Sequence, residues 1–572
     1  MPALIIHGHF YQPPRENPWT GIIAAQPSAA PFHDWNERIH FECYRANAFV
    51  RVGETGSDEQ FINNYANINF NFGPTLLSWL NQHHAYTYAR IIEADRESVL
   101  QHRGHGNAIA QAYGHAILPL CNDHDLRTQI RWGLADFRYR FAREAESIWL
   151  PETAGSDRVM SALIDEGLRF VILAPHQAAN ANEKVSTGSG SDRVDPLSDT
   201  SEWHGVSEAT LDPTIPYRYT QRDNQNKSIS VFFYDGPTSR AIAFEKLLSS
   251  SREFVDALER AASGRQMINL ATDGETYGHH FKFGDLCLAH ALAEEAPMRG
   301  FTITNYGEYL DEHPPDFEVQ INSRPNGEGT SWSCVHGVGR WIRDCGCQTG
   351  GGPGWNQKWR RPLRDALDFL RDQNLEHFEA TRGSLFVDPW QARDDSIVLV
   401  LDPHESRETF LFNHAERWLS SDEQTKALTY LELQRMLLLM YTSCGWFFND
   451  ISGIETIQIL SYAARAIDLM EQLGLPASRE RFLEILAEAK SNRPEMGTGA
   501  DIYRRFVEPL NPNHNSNHLP QSSAGRTCDT HLNEAAFNES AKQTTFTPSQ
   551  PGGIDVGTAD ESAKQTTENS PG

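Results

Sequence analysis

Short apolar runs that alternate with helical stretches through the first three hundred residues constrain this chain more than any other feature. "ALIIH" (3–7), "NINFNF" (67–72), "IWL" (148–150), "RFVILAP" (169–175), "SISVFFYD" (228–235) and "MINLA" (267–271) each have the length and apolar content of a strand. Between them lie helix-like segments such as Thr75–Glu93 and Asp157–Gly167. Strands that alternate with helices form a parallel sheet, and this many units favour a barrel over an open sheet. The fold class expected is α/β, an incomplete (β/α)-type barrel over residues 1–310. Residues 178–227 break the rhythm with Gly, Ser and Asp, and read as a long loop or insertion near a site mouth.

From about residue 355 the pattern becomes helical. Leu363, Ala366, Leu367 and Leu370 recur at helical spacing, and so do Ile457, Leu460, Ala464 and Ile467, with Gly474 placed to stop that helix. Residues 427–448 are apolar nearly all round, the mark of a buried central helix. A helical bundle is therefore expected over 311–508. A polar tail over 509–572 is expected to be disordered, and it holds the near-duplicates "NESAKQTT" and "DESAKQTT".

The formal net charge of −26 excludes a phosphate-binding stripe, so no nucleic-acid partner is expected, and it disfavours anionic membrane surfaces. No stretch approaches the ~20 apolar residues of a membrane-spanning helix. The eight cysteines, at 43, 121, 287, 334, 345, 347, 444 and 528, show no dense disulfide rhythm, and a reduced, soluble, cytoplasmic protein is expected. Cys334-x-His336 and Cys345-x-Cys347 put four nitrogen or sulfur ligands within fourteen residues. That spacing is not a standard zinc pattern, and free thiols are the plainer reading.

Two of the strand-like runs end on an acid, Glu152 after "IWLP" and Asp273 after "INLAT". Side chains that follow strand C-termini in a parallel barrel gather at one face. A single acid in such a place is commonly a helix cap or a surface ion pair. Two of them in His- and aromatic-rich surroundings point to a pair of carboxylates, the apparatus of retaining glycoside cleavage, which needs them about 5–5.5 Å apart. Trp19, Trp35, Tyr113 and Tyr277 offer flat faces for sugar rings.

These residues carry a resemblance. His7-Gly8-His9, Trp149-Leu150-Pro151-Glu152 and Asp273-Gly274-Glu275 resemble the ordered signature segments of glycoside hydrolase family 57. "HGHFYQPPRENPW", "NNYANINFNFGPTLLSWL", "QAYGHAILPL" and "SWSCVHGVGRWIRDCGC" are similar to a bacterial branch of that family with an appended helical domain of unknown function. The resemblance covers residues 3 to 505 and implies a (β/α)7 barrel closed over by a helical bundle. It implies a retaining glycosidase or transglycosidase on α-linked glucans, with Glu152 as nucleophile and Asp273 as acid/base. It further implies substrate contacts from His7, His9, Trp149, His115, Glu275 and His280, with no cofactor and no metal. Where the family often holds an acid, this chain has Asn107, Gln111 and His115.

Two other readings fit the residues. His7 and His9 on a first strand could ligate zinc for metal-assisted hydrolysis, as in deacetylases and mannosidases, although Glu152 would then lack a task. A non-catalytic glycan binder could also keep this barrel, although it would need neither acid.

Overall fold

The computed structural model describes residues 1–52, 60–183, 203–224, 226–402, 404–476 and 479–512. Seven parallel strands form the frame: β1 (Ala3–Phe10), β2 (Asn69–Phe72), β3 (Ala110–Gln111), β4 (Ile148–Trp149), β5 (Phe170–Leu173), β6 (Ser228–Phe233) and β7 (Met267–Asp273). Strand β1 pairs with β7 and with β2, β3 with β4, and β5 with β6, all parallel. Single parallel bridges, Phe70 to Ala108 and Ser147 to Phe170, link β2 to β3 and β4 to β5. Between β6 and β7 the Asp235 N–H donates to Asn269 O (2.8 Å), and Asn269 Nδ2 donates to Phe233 O (3.0 Å). The ring thus runs β1–β2–β3–β4–β5–β6–β7, a (β/α)7 barrel as expected.

Strand periodicity decides what points inward. Leu4, Ile6 and Phe10 of β1 join a large core against the outer helices, whereas Ala3 and Ile5 join Phe170, Ile172, Phe232, Met267 and Ala271 inside the barrel. The same alternation carries His7 and His9 to the inner side. It does likewise for Asn69 and Asn71, because Ile68, Phe70 and Phe72 face the helices. On β7, Met267 and Ala271 fix the inward register that ends at Asp273.

The insertion at 178–227 is not the plain loop that its composition suggests. Ala178–Glu183 pairs antiparallel with Phe317–Ile321, and Tyr217–Thr220 lies between Phe317–Ile321 and β6. These strands extend the β5–β6 edge of the barrel into a six-stranded sheet. Alternation in "PYRYT" is real, with Tyr217 and Tyr219 buried, but its polar partners hide it in the sequence. Residues 184–202 of the insertion lie outside the described residues.

Phe317–Ile321 also means that the chain just after residue 310 still belongs to this sheet, and the long helices begin at Arg360. They are α1 (Arg360–Glu379), α2 (Ser421–Leu439) and α3 (Ile454–Gln472), with α2 packed on α3. Leu363, Ala366, Leu367 and Leu370 are fully buried on α1. Gly474 takes φ 69° just beyond α3, the left-handed stop expected of it. The apolar run expected as one helix over 427–448 instead breaks after Leu439 and resumes at Cys444–Phe447. Ser443, in that break, reaches the barrel: its N–H donates to His115 O (3.0 Å). No described helix is long and apolar enough to cross a membrane. The tail from residue 513 onward lies outside the described residues.

Candidate active site

The glycines of two motifs explain how the strand ends come together. A Cβ on Gly8 would lie 2.7 Å from the Phe10 ring, and one on Gly274 would lie 2.3 Å from it. The buried Phe10 ring therefore occupies the room that both glycines leave, and β1 and the turn after β7 close on it. Register places His9 opposite Asp273 on one side and opposite Asn71 on the other. Gln111 stands opposite Trp149 in the β3–β4 pair.

The inward side chains form a continuous aromatic floor. Trp149 stacks on His7 (4.7 Å) and on His9 (5.0 Å), His9 on His115 (5.3 Å), and His115 on Tyr11 (3.7 Å). Asn71 ties the floor together, through Oδ1 with His7 Nε2 (2.9 Å) and through Nδ2 with His9 Nδ1 (2.9 Å) and Gln111 Oε1 (2.8 Å). His115 Nδ1 meets Ser443 Oγ at 2.7 Å, so the helical region fixes the far end. Burial lowers the pKa of His7 and of His115 to about 3 and holds that of His9 well down, so all three rings are neutral near pH 7. His7 Nδ1, Trp149 Nε1, Gln111 Nε2 and Tyr11 Oη are buried without a hydrogen-bond partner among the described residues.

Glu152 occupies a strained turn. It and Thr153 both have left-handed backbones, φ 58° and 49°, and for a β-branched threonine that is costly. The surroundings impose the turn: Trp332 N–H donates to Glu152 O (3.0 Å) and to Thr153 Oγ1 (3.0 Å), and Thr153 Oγ1 donates to Gln177 Oε1 (2.8 Å). The half-buried Glu152 carboxylate accepts from Trp332 Nε1 (3.0 Å) and Ser333 Oγ (2.6 Å). Burial raises its pKa, and Ser333, the Arg340 guanidinium and Trp332 oppose that rise.

Asp273 is exposed at the end of β7, and no hydrogen bond reaches its carboxylate among the described residues. Loss of hydration within the cleft raises its pKa well above the ordinary value, and the charges of Glu275 and Glu152 add to the rise. Glu275 is buried, accepting from Tyr11 N–H (3.0 Å) and Tyr44 O–H (2.6 Å), and burial raises its pKa to about 7.

Of the residues expected to touch sugar, the structure brings His7, His9, Trp149 and His115 into one stack, but each is at most 5% exposed. They make the floor, and Glu275 is a buried pin between Tyr11 and Tyr44. His280 is exposed beyond the turn, its ring 5.2 Å from His279, with no link to the stack. Trp35, Tyr113 and Tyr277 are core residues, and Trp19 is half-buried and donates to Asp468 (2.8 Å). Trp332, beside Glu152, is half-buried and edge-on to Trp149 (5.2 Å), with Tyr234 6.3 Å away. His7 and His9 share Asn71 and belong to no group of three converging metal ligands among the described residues. That donor set does not fit the metal-hydrolase alternative.

Comparison with known proteins agrees with this architecture. The family model described as Glycosyl hydrolase family 57 matches residues 6–322, more than half of the chain. A model described as Domain of unknown function (DUF3536) matches 355–570. No curated protein matches. The solved exo-type maltose-forming amylase of Pyrococcus sp. ST04 is 17% identical with a TM-score of 0.56, over 85% of this chain and 82% of that one. The 4-α-glucanotransferase of Thermococcus litoralis is 14% identical with a TM-score of 0.44, over 82% of this chain and 58% of that one. A family-57-type branching enzyme of Pyrococcus horikoshii is 13% identical with a TM-score of 0.45, over 97% and 98%. The amylase likeness is one of fold.

Proposed function

The chain belongs to glycosyl hydrolase family 57, and from that premise we propose that it cleaves or transfers α-linked glucosyl units by a retaining, two-carboxylate mechanism. Glu152 attacks the anomeric carbon while Asp273 protonates the departing glycosidic oxygen. Water or a sugar hydroxyl then displaces Glu152 from the glycosyl enzyme, and Asp273 takes the incoming proton.

The observation that carries this reading is the unequal treatment of two carboxyl groups, one of which, Asp273, feels the charge of the other. Glu152 receives two hydrogen bonds and the field of Arg340, all of which favour its anion. Asp273 receives none among the described residues and feels the charge of Glu275, which favours its protonated form. Environments that push two pKa values apart assign base and acid roles. Arg340 is itself held by donating to Ser333 O and Phe447 O, so both the 330s segment and the helical region set the field at Glu152.

The glucan substrate class draws support from family membership and from the maltose-forming amylase activity of the solved protein with a similar fold. The aromatic floor and the unpartnered donors Trp149 Nε1 and Gln111 Nε2 suit a neutral polyhydroxylated ligand. The test is an assay on α-linked oligoglucosides with product analysis by NMR, comparing wild type with Glu152→Gln. Retention at the anomeric carbon and loss of turnover in the variant are expected. Inversion, or a fully active variant, would contradict the mechanism.

A further inference from the structure

We propose that Cys334, His336, Cys345 and Cys347 form a tetrahedral zinc site that holds the segment delivering Trp332 and Ser333 to Glu152. Spacing alone gave these residues as free thiols, but folding brings their ligand atoms to within 4.8 Å of one another. Cys334 Sγ lies 3.9 Å from Cys345 Sγ and 3.7 Å from Cys347 Sγ, and Cys347 Sγ lies 3.4 Å from His336 Nδ1. Zinc–sulfur bonds of about 2.3 Å at tetrahedral angles put sulfurs about 3.8 Å apart, with a sulfur–nitrogen edge slightly shorter. These edges are too long for disulfides and match that tetrahedron. Gly346, at φ 79°, supplies the left-handed residue that lets Cys345 and Cys347 turn their sulfurs to one centre.

An independent observation is the charge beside the cluster. Arg360 is fully buried and makes no ion pair with a carboxylate among the described residues. Arg360 Nη1 donates to Cys347 O (3.0 Å) and lies 3.9 Å from Cys345 Sγ. Buried cations need a counter-charge. Three thiolates and a neutral imidazole around Zn²⁺ carry one net negative charge, which meets that need and leaves a hydrogen bond from arginine to ligand sulfur. All four coordination positions come from protein, so the site is structural and closed to substrate. It lies one residue beyond Ser333, so the metal would anchor the donors of the nucleophile from behind. Metal loading would release the three thiol protons to solvent, with no redox change.

The full chain, purified without chelator, should carry about one zinc per molecule by elemental analysis. Cobalt(II) exchanged into it should give the intense visible bands of a tetrahedral thiolate complex. Cys347→Ser should abolish that stoichiometry. His336→Ala, at an exposed position, should fold and lose zinc faster to a competing chelator. His336→Cys should retain the metal with a more sulfur-rich cobalt spectrum. The proposal fails if folded wild-type protein holds no stoichiometric zinc and takes up no tetrahedral cobalt. It fails equally if intact-mass analysis finds a disulfide among the three cysteines, or if Cys347→Ser keeps its metal. None of these readouts depends on the reaction in the cleft, so they are separable from the glycosidase reading.

Discussion

Glu152 and Asp273 stand at the ends of two strands of one barrel, yet their surroundings are opposite in kind. Around Glu152 the chain converges: a left-handed turn, two side-chain donors from the 330s segment, and a buried arginine that bonds to the helical region. Around Asp273 it withdraws, leaving an exposed carboxyl that no donor reaches among the described residues and on which the charge of Glu275 acts. The comparison teaches that the barrel supplies position while segments outside the seven strands supply chemical difference. Two acids at equivalent strand ends would otherwise titrate alike.

Removing each acid should break the symmetry most strongly. Glu152→Ala should lower turnover roughly 10⁴- to 10⁶-fold, as expected for a lost nucleophile. Azide should restore part of the rate, and NMR should identify a glycosyl azide of inverted configuration. Near-normal turnover in that variant would show that Glu152 is not the attacking group. Asp273→Ala should lose roughly 10²- to 10⁴-fold on natural glucans. On activated aryl glycosides its first step should persist, because such leaving groups depart without a proton; equal losses on both substrates would remove Asp273 from the acid role.

Smaller changes should sharpen the contrast. Ser333→Ala or Trp332→Phe withdraws one donor from the Glu152 anion, a hydrogen bond to charge worth about 1.5–3 kcal/mol. Each should cost roughly 10- to 100-fold in kcat/KM. Each should also move the acidic limb of the pH profile upward, since the anion loses support while the protonated form does not. An unmoved limb would mean that these donors only shape the loop. Glu275→Gln should move the alkaline limb downward, because the largest charge raising the Asp273 pKa would be gone.

Glu275 also bears on stability. Its folded pKa, about 7, lies above the ordinary 4.5, so the native protein keeps a proton that the unfolded chain has lost. The stabilising contribution is full below about pH 4.5 and falls as pH rises toward 7. By linkage the loss is on the order of 3 kcal/mol. Denaturant unfolding across that window should show a decline in wild type that is shallower in Glu275→Gln. Parallel curves would locate the titration elsewhere.

Part of this site was legible in the sequence. Period-2 patterning and strand-end position bring out Glu152, Asp273, His7 and His9, because short-range geometry fixes which face they occupy. Asn71 is legible in the same way: the asparagines of "NINFNF" alternate with residues bound for the helices, so they face the barrel interior. Trp332 and Ser333 gave no such signal, since they reach Glu152 across 180 and 181 residues from a segment without regular periodicity. The four zinc-type ligands were visible as residues, but only the fold supplies the tetrahedron. Aromatics were the least legible, because Trp35, Tyr113 and Tyr277 differ from Trp332 in burial and not in local pattern.

The central claim, that Glu152 becomes covalently bonded to sugar while Asp273 does not, is tested most directly by trapping. A fluorinated α-glucosyl fluoride with a good leaving group and a slow second step should form a glycosyl enzyme on wild-type protein. Peptide mass spectrometry after proteolysis should place one added fluoroglucosyl mass on Glu152, the anomeric fluoride having departed, with Asp273 unmodified. An adduct on Asp273 or on another residue, or no adduct in protein that turns over α-glucan, would contradict the account.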